Sequence, residues 1–288
     1  MPSLPPFFAS LQAQIAAGLD DFVPSGPTSG PVVDAMRYTL LATSKRVRGV
    51  LVMLSADLCG TSARALPAAC AIEAVHAASL MLDDLPSMDN APLRRGRPSA
   101  HIAFGEAVTI LAAFGLLNEA FGHLARKYDR ALGAQLCALV SEAVGLEGLV
   151  AGQAEDVLAT DAAVNFETLE RIHRRKTGVL FSAAATAGAL SAGARADDIA
   201  SLRAYAKNLG LAFQIVDDLL DVTGTTAETG KVTRSDARKT TFVSFSGIAG
   251  ARELADELCR TAISALAPFG RRSAPLKELA EFVAERRL

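Results

Sequence analysis

Apolar residues recur at three- and four-residue spacing along most of this chain. The pattern predicts helices over 33–43, 47–58, 66–82, 106–127, 131–151, 166–175, 177–192, 199–222, 242–267 and 276–287. A short helix precedes them, cut off by the loop-forming run PSGPTSGP at 24–31. Further breaks are expected at 59–61, 94–99, 161–165, 191–197, 223–233 and 268–275, where Gly, Pro and polar residues cluster. Strand-like alternation is confined to 242–245, and the sequence has neither a GxGxxG run nor a repeat period. A doubly wound sheet is therefore disfavoured. The prediction is an all-α fold, a single domain over 1–288, built as one large bundle of about ten helices around a central cavity.

Composition strengthens that picture. Half of the 288 residues are hydrophobic, aromatics are 6% and Trp is absent; Ala and Leu dominate, and both enter helices at little entropic cost. The formal charge of −2 comes without a basic tail, which argues against a nucleic-acid partner. Cys59, Cys70, Cys137 and Cys259 are far apart and form no CxxC pair, so they read as reduced core residues. The first twenty residues lack a basic segment before their apolar stretch, and the uncharged stretch 178–194 is too short and too weakly apolar to span a bilayer. The expectation is a cytoplasmic protein with no membrane span.

Two segments place acids inside apolar helices, where an unpaired charge is expensive. They are LMLDDLPSMDN at 80–90 and QIVDDLLDV at 214–222. Asp217 and Asp221 are four apart and share a helix face. Asp83 and Asp84 end a helix, Pro86 disturbs the turn, and Asp89 returns six residues after Asp83. Such clusters are stabilised by cations, and Mg²⁺ suits best, because it prefers oxygen ligands and is held by a few carboxylates together with substrate phosphates. A single cluster of this kind is as readily a helix cap or a solvated face. Two in one helical chain, each with basic residues nearby, point to chemistry.

The segment 83–101 (DDLPSMDNAPLRRGRPSAH) together with DDLLD at 217–221 resembles the two aspartate-rich motifs of the trans-isoprenyl diphosphate synthases, the polyprenyl synthetase family. The longer first motif followed by LRRG is similar to bacterial enzymes that make farnesyl or geranylgeranyl diphosphate, and the match runs in collinear order over about 44–236. Lys45, Arg46 and Arg48 (SKRVRG) stand where the family has GGKRxRP. Lys176, Thr177 and Gly178 match its KTG; Gln214 precedes the second motif and Lys231 follows it.

The resemblance implies an isoprenoid synthase fold that condenses isopentenyl diphosphate with an allylic diphosphate. An allylic diphosphate must ionise, so growing negative charge has to be stabilised on the leaving group. Isopentenyl diphosphate must keep its own diphosphate, which is better held by Lys and Arg than activated by metal. By resemblance, Lys45, Arg48, His76 and Arg95 bind isopentenyl diphosphate. Arg94, Lys176 with Thr177, Gln214 and Lys231 face the allylic diphosphate. Asp83, Asp84 and Asp89 hold two Mg²⁺, and Asp217, with Asp218 and Asp221 more weakly, a third; whether Mn²⁺ substitutes stays open. A homodimer is implied as well. No side chain stands out as the final base, a role that released pyrophosphate can fill. His76, two turns before Asp83 on about the same face, suits a substrate role, whereas His101, His123 and His173 read as capping or surface residues.

In the family, small residues one turn before the first Asp leave room for the growing tail. Ala78 and Ser79 occupy those positions, and Ala78 lies roughly 7 Å along the helix from Asp83. The expected product is therefore geranylgeranyl diphosphate (C20), with farnesyl diphosphate as the alternative. Several positions depart from the family pattern: Thr43-Ser44 replaces Gly-Gly, Gly49 a Pro, Asn90 a second Asp, Phe114 an Asp and Arg234 a Gly. The loss of Gly-Gly bears on how the Lys45 loop wraps a phosphate. A terpene cyclase is disfavoured by DDLLD and the low aromatic content, a silent synthase subunit by two intact acidic motifs, and a structural scaffold by the ordered acid and base sets.

Overall fold

The computed structural model describes residues 6–23, 26, 30–224 and 239–285. It has thirteen α-helices among the described residues. They are α1 (Pro6–Phe22), α2 (Pro31–Leu40), α3 (Val47–Cys59), α4 (Leu66–Asp83), α5 (Ala100–Phe104), α6 (Glu106–Lys127) and α7 (Arg130–Val144). They continue with α8 (Leu149–Leu158), α9 (Phe166–His173), α10 (Val179–Ser191), α11 (Ala196–Thr223), α12 (Phe242–Ala265) and α13 (Ala274–Ala284).

The helices at the centre are those without a polar face. Most of α3, α4 and α10 is buried on every side, as expected of helices that are apolar all round. Boundaries follow capping chemistry. Asp129 accepts from the Leu132 N–H at the start of α7, Asn165 from Thr168 at the start of α9, and Thr241 with Ser244 forms a capping box on α12. That last cap starts the helix predicted over 242–267, so the strand-like alternation at 242–245 falls within its first turn. The four residues open a helix, and Phe242 is fully buried.

Three other differences have local causes. The predicted helix 131–151 is two helices, split at Gly145 and Gly148. The junction between the predicted helices 166–175 and 177–192 is a π-helical turn, Arg174–Gly178, joining α9 to α10 without interruption. The loop at 94–99 contains a small antiparallel hairpin, β1 (Leu93–Arg94) with β2 (Arg97–Pro98), in which Arg94 pairs with Arg97.

The expectation of no membrane span rested on 178–194 alone. By length and composition, Leu66–Asp83, Glu106–Lys127 and Arg130–Leu158 are long and apolar enough to cross a membrane. The first of these is α4, whose apolar surface is largely spent on the interior of the bundle.

Candidate active site

The first acidic motif is shaped by where α4 stops. After Asp83 the chain turns back so that the Asp89 N–H donates to the Asp83 carbonyl at 2.9 Å, and Asn90 donates to Leu85 at 3.0 Å. The six-residue spacing therefore returns Asp89 to the side of Asp83. Burial pushes the Asp83 carboxyl up, and Asp89 and Asp84 add to this while Lys176 and Arg94 oppose it. Asp84 is almost completely buried. The resemblance placed it among metal ligands and put Arg94 on the allylic diphosphate. In the structure the two are joined: Arg94 Nε lies 3.0 and 3.1 Å from the two Asp84 oxygens, and a terminal guanidinium nitrogen donates as well. Burial disfavours the Arg94 charge, but the Asp84 hydrogen bonds and the neighbouring carboxylates outweigh it and raise its pKa.

Lys176 enters from the π-helical turn. One extra residue per turn displaces a side chain from its α-helical direction, and such turns recur at functional sites. The turn is seated on α8 at Gly152. A Cβ there would fall 2.3 Å from the Lys176 backbone N and 2.7 Å from the Arg175 carbonyl carbon, so only glycine fits. Lys176 Nζ then reaches Asp156 Oδ2 at 2.8 Å, and Lys239 Nζ reaches the same oxygen at 2.8 Å and Asp89 Oδ1 at 2.8 Å. The two ammonium groups hold the Asp156 carboxyl down at about 2 despite its burial. Burial works against Lys176 and Lys239 too, yet Asp83, Asp156 and Asp89 raise Lys176, and Asp156 and Asp89 raise Lys239.

Thr177 ties this edge to the second motif. Its hydroxyl donates to Gln214 Oε1 at 2.8 Å, and Gln214 Nε2 donates to Asp218 Oδ1 at 2.9 Å. Asp218, the weaker metal ligand by resemblance, is buried and also accepts from the Phe242 N–H at 3.1 Å, so it fastens α11 to the start of α12. Asp217 and Asp221 stand one turn apart on the part-exposed side of α11. Lys231 lies outside the described residues.

The basic set gathers around His76 of α4. Arg48 stacks over Phe181 at 4.8 Å and Phe213 at 5.8 Å, and its guanidinium donates to His76 Nε2 at 3.2 Å. Burial, with Arg48, Arg95, Arg94 and Arg46 around it, drives the His76 pKa well below its ordinary value, so the ring is neutral at pH 7 and can accept. Arg95 and Gly96 form the two-residue turn of the hairpin at φ 54 and 73, the left-handed pair that a type I′ turn requires. An arginine in that conformation is strained, which is typical of residues aimed at ligands. Burial, then Arg46, pushes the Arg95 pKa down to about 10. A buried guanidinium whose charge is disfavoured by neighbouring arginines is the electrostatic setting for a polyanion.

Ala78 is buried and Ser79 is half-buried, with its hydroxyl donating to the His76 carbonyl at 2.9 Å. His101 and His173 are buried rather than on the surface; His173 packs on Phe242 with ring centroids 5.3 Å apart. His123 is half-buried against Phe22. The four cysteines are free, with Cys70 and Cys259 buried and Cys59 and Cys137 half-buried. Sequence reasoning missed Asp156 and Lys239. The available signal was an acid inside the apolar pattern of 149–158, matched to a lysine just before the α12 cap.

Among the described residues no three carboxylate, His or Cys groups converge into a closed metal cage. The donors offered by Asp83, Asp89, Asp217 and Asp221 are all carboxylate oxygens. That suits Mg²⁺ and suits Zn²⁺ poorly.

A family profile described as polyprenyl synthetase matches residues 31–264. A chloroplastic geranylgeranyl pyrophosphate synthase of Catharanthus roseus is 44% identical over 261 residues, covering 88% of this chain and 73% of the relative. An FPP/GFPP synthase of Zymomonas mobilis superposes with a TM-score of 0.86 at 33% identity, over 96% of this chain and 97% of that one. A geranyltransferase of Helicobacter pylori, complexed with magnesium and isoprenyl diphosphate, gives 0.84 at 26% identity, over 99% and 98%. Family profile, sequence relatives and solved structures agree with the two acidic motifs and the basic set between them: the chain belongs to the polyprenyl synthetase family.

Proposed function

We infer that this protein is a magnesium-dependent, chain-elongating prenyltransferase that joins isopentenyl diphosphate to allylic diphosphates, with geranylgeranyl diphosphate as its main product. The observation that carries the reading is a pair of charged sets served by α4, one of acids with two lysines and one of arginines. Asp83, Asp89 and Asp156 gather with Lys176 and Lys239, while Arg48 and Arg95 gather around His76, seven residues before Asp83 on the same helix.

Asp83 and Asp89 from the first motif, and Asp217 and Asp221 from the second, would hold Mg²⁺, three ions in all. When bound, the ions supply positive charge to the diphosphate that leaves the allylic carbon. Lys176 and Lys239 add fixed charge at the same diphosphate, and Thr177 with Gln214 orients that edge. Asp84 holds Arg94 in place. Arg48, Arg95 and Lys45 bind the diphosphate of isopentenyl diphosphate, which keeps its leaving group for want of metal. Neutral His76 accepts from Arg48 and fixes its direction. The double bond then attacks the allylic carbon, and the proton lost from the product cation passes to the departed pyrophosphate.

Chain length follows from α4. Ala78 and Ser79 place small side chains one turn below Asp83, so a growing tail meets no aromatic there. The close relative named for geranylgeranyl pyrophosphate supports a C20 product. A homodimer is supported by α6, where Ile110, Leu111 and Phe114 form an apolar face and Phe114 is 71% exposed.

The test is incubation of the protein with radiolabelled isopentenyl diphosphate and each of the C5, C10 and C15 allylic primers, with Mg²⁺ or with chelator. Label in C20 alcohol after dephosphorylation, abolished by chelator, is expected. Absence of label with every primer in Mg²⁺ overturns the enzymatic reading; a C15 end product overturns only the chain length.

A further inference from the structure

The loop carrying Lys45 and Arg48 departs from its family at three places, with Thr43-Ser44 for Gly-Gly and Gly49 for Pro. A set of contacts from distant elements surrounds it. Gln12 on α1 donates through Nε2 to the Lys45 carbonyl at 2.8 Å and the Ser44 carbonyl at 3.3 Å. Arg46, at φ 51, turns its guanidinium back onto the carbonyls of Leu40 at 2.6 Å and Ala42 at 3.0 Å. That buried guanidinium also meets Glu73 of α4 at 3.5 Å. The second Glu73 oxygen accepts from the Gly49 N–H at 2.8 Å, a bond that proline could not donate. Beyond the loop, Lys45 Nζ lies 5.2 Å from the ring centroid of Phe282 on α13, and Phe282 in turn packs on Phe8 of α1.

We propose that Gln12, Arg46, Glu73 and Phe282 are positioning residues for the isopentenyl diphosphate pocket: a clamp from α1, α4 and α13 that presets the Lys45 loop where the family uses glycine and proline. The inference rests on the functional reading above and deepens it. Flexible glycines adapt to a phosphate when it arrives. A Thr-Ser loop needs its carbonyls held beforehand: Gln12 holds those of Ser44 and Lys45, Arg46 that of Ala42, Glu73 holds Arg46 and the Gly49 N–H, and Phe282 faces Lys45. The clamp touches only one of the two diphosphate sites, so its loss changes affinity for one substrate and spares the other.

Gln12→Leu keeps the size of the side chain and removes the donor, and Phe282→Leu removes the ring face. In steady-state assays the KM for isopentenyl diphosphate should rise about fivefold for Gln12→Leu, as expected for losing one hydrogen bond. It should rise roughly two- to fivefold for Phe282→Leu. The KM for the C15 allylic diphosphate and the kcat should stay within a factor of about two, well under the effect of one lost hydrogen bond. Gln12→Glu, which opposes an acceptor to two carbonyls, should be worse than Gln12→Leu. A merely structural role would lower thermal stability and leave the ratio of the two KM values alone. Equal rises for both substrates, or an unchanged KM for isopentenyl diphosphate in soluble, helical Gln12→Leu and Phe282→Leu proteins, overturns the clamp. Should Gln12→Leu fail to fold, Phe282→Leu alone decides by the same ratio. A wild-type protein that turns over no primer overturns the enzymatic reading instead, so the two failures are distinct.

Discussion

Replacing Asp156 by Asn isolates the charge that holds two lysines against the first acidic motif. The carboxyl pKa is held down from 3.8 to about 2, by Lys176 and Lys239, against the cost of burial. A shift of that size corresponds to about 2–3 kcal/mol of folding stability. Because the folded pKa is the lower one, this contribution is complete above the unfolded value of 3.8 and is lost as the pH falls through about 2. Unfolding entropy is about 0.6 kcal/mol/K for a chain of this length, so Asp156→Asn should lower Tm by roughly 3–5 °C at neutral pH. The amide still accepts one hydrogen bond but leaves two ammonium groups facing each other, so kcat should fall too, as Lys176 moves off the allylic diphosphate. Thermal unfolding monitored by circular dichroism, from neutral pH downward, reads the first effect. The gap between wild type and variant should be constant at neutral pH and narrow below about pH 4. A gap that is absent, or that persists unchanged in acid, refutes the reasoning.

Three further outcomes are expected. Gly152→Ala puts a Cβ into the Arg175–Lys176 backbone; it should cost about 1–3 kcal/mol by overpacking and reduce kcat, and thermal unfolding and a turnover assay check it. Ala78→Tyr should shift the dephosphorylated products from C20 to C15 or C10 on reversed-phase chromatography, and unchanged lengths would remove Ala78 from the tail path. Leu111→Glu with Phe114→Glu places two charges on the exposed face of α6 and should halve the mass seen by light scattering, with the helical content unchanged.

What could be read from the sequence and what could not divides by range. The acids at 83–89 and 217–221 were legible because carboxylates interrupt strong apolar periodicity, and local helix geometry fixes their spacing. The helices α3, α4, α10 and α11 were legible for the same reason. Asp156 and Lys239 were not: they lie 83 residues apart, and neither means anything until Lys176 arrives between them. The pairing of Asp84 with Arg94 depended on a hairpin of two-residue strands, too short to leave a periodic signal. Phe242 alternated like a strand because a capping box and a buried aromatic can fall in register with one. Asp218 looked like its neighbours in DDLLD, and only the packing of α12 on α11 separated it from them.

The Arg174–Gly178 turn carries one residue more than an ideal helix would use over the same rise. Removing any single residue from it would let α9 and α10 run on as one regular helix, but everything after the cut would rotate by about 100°. The stretch that now lies between α3 and α11 would then present a different stripe to each. The extra residue thus works as a phase adjuster: α9 and α10 each keep their own buried side, and the lysine falls at the seam between the two registers.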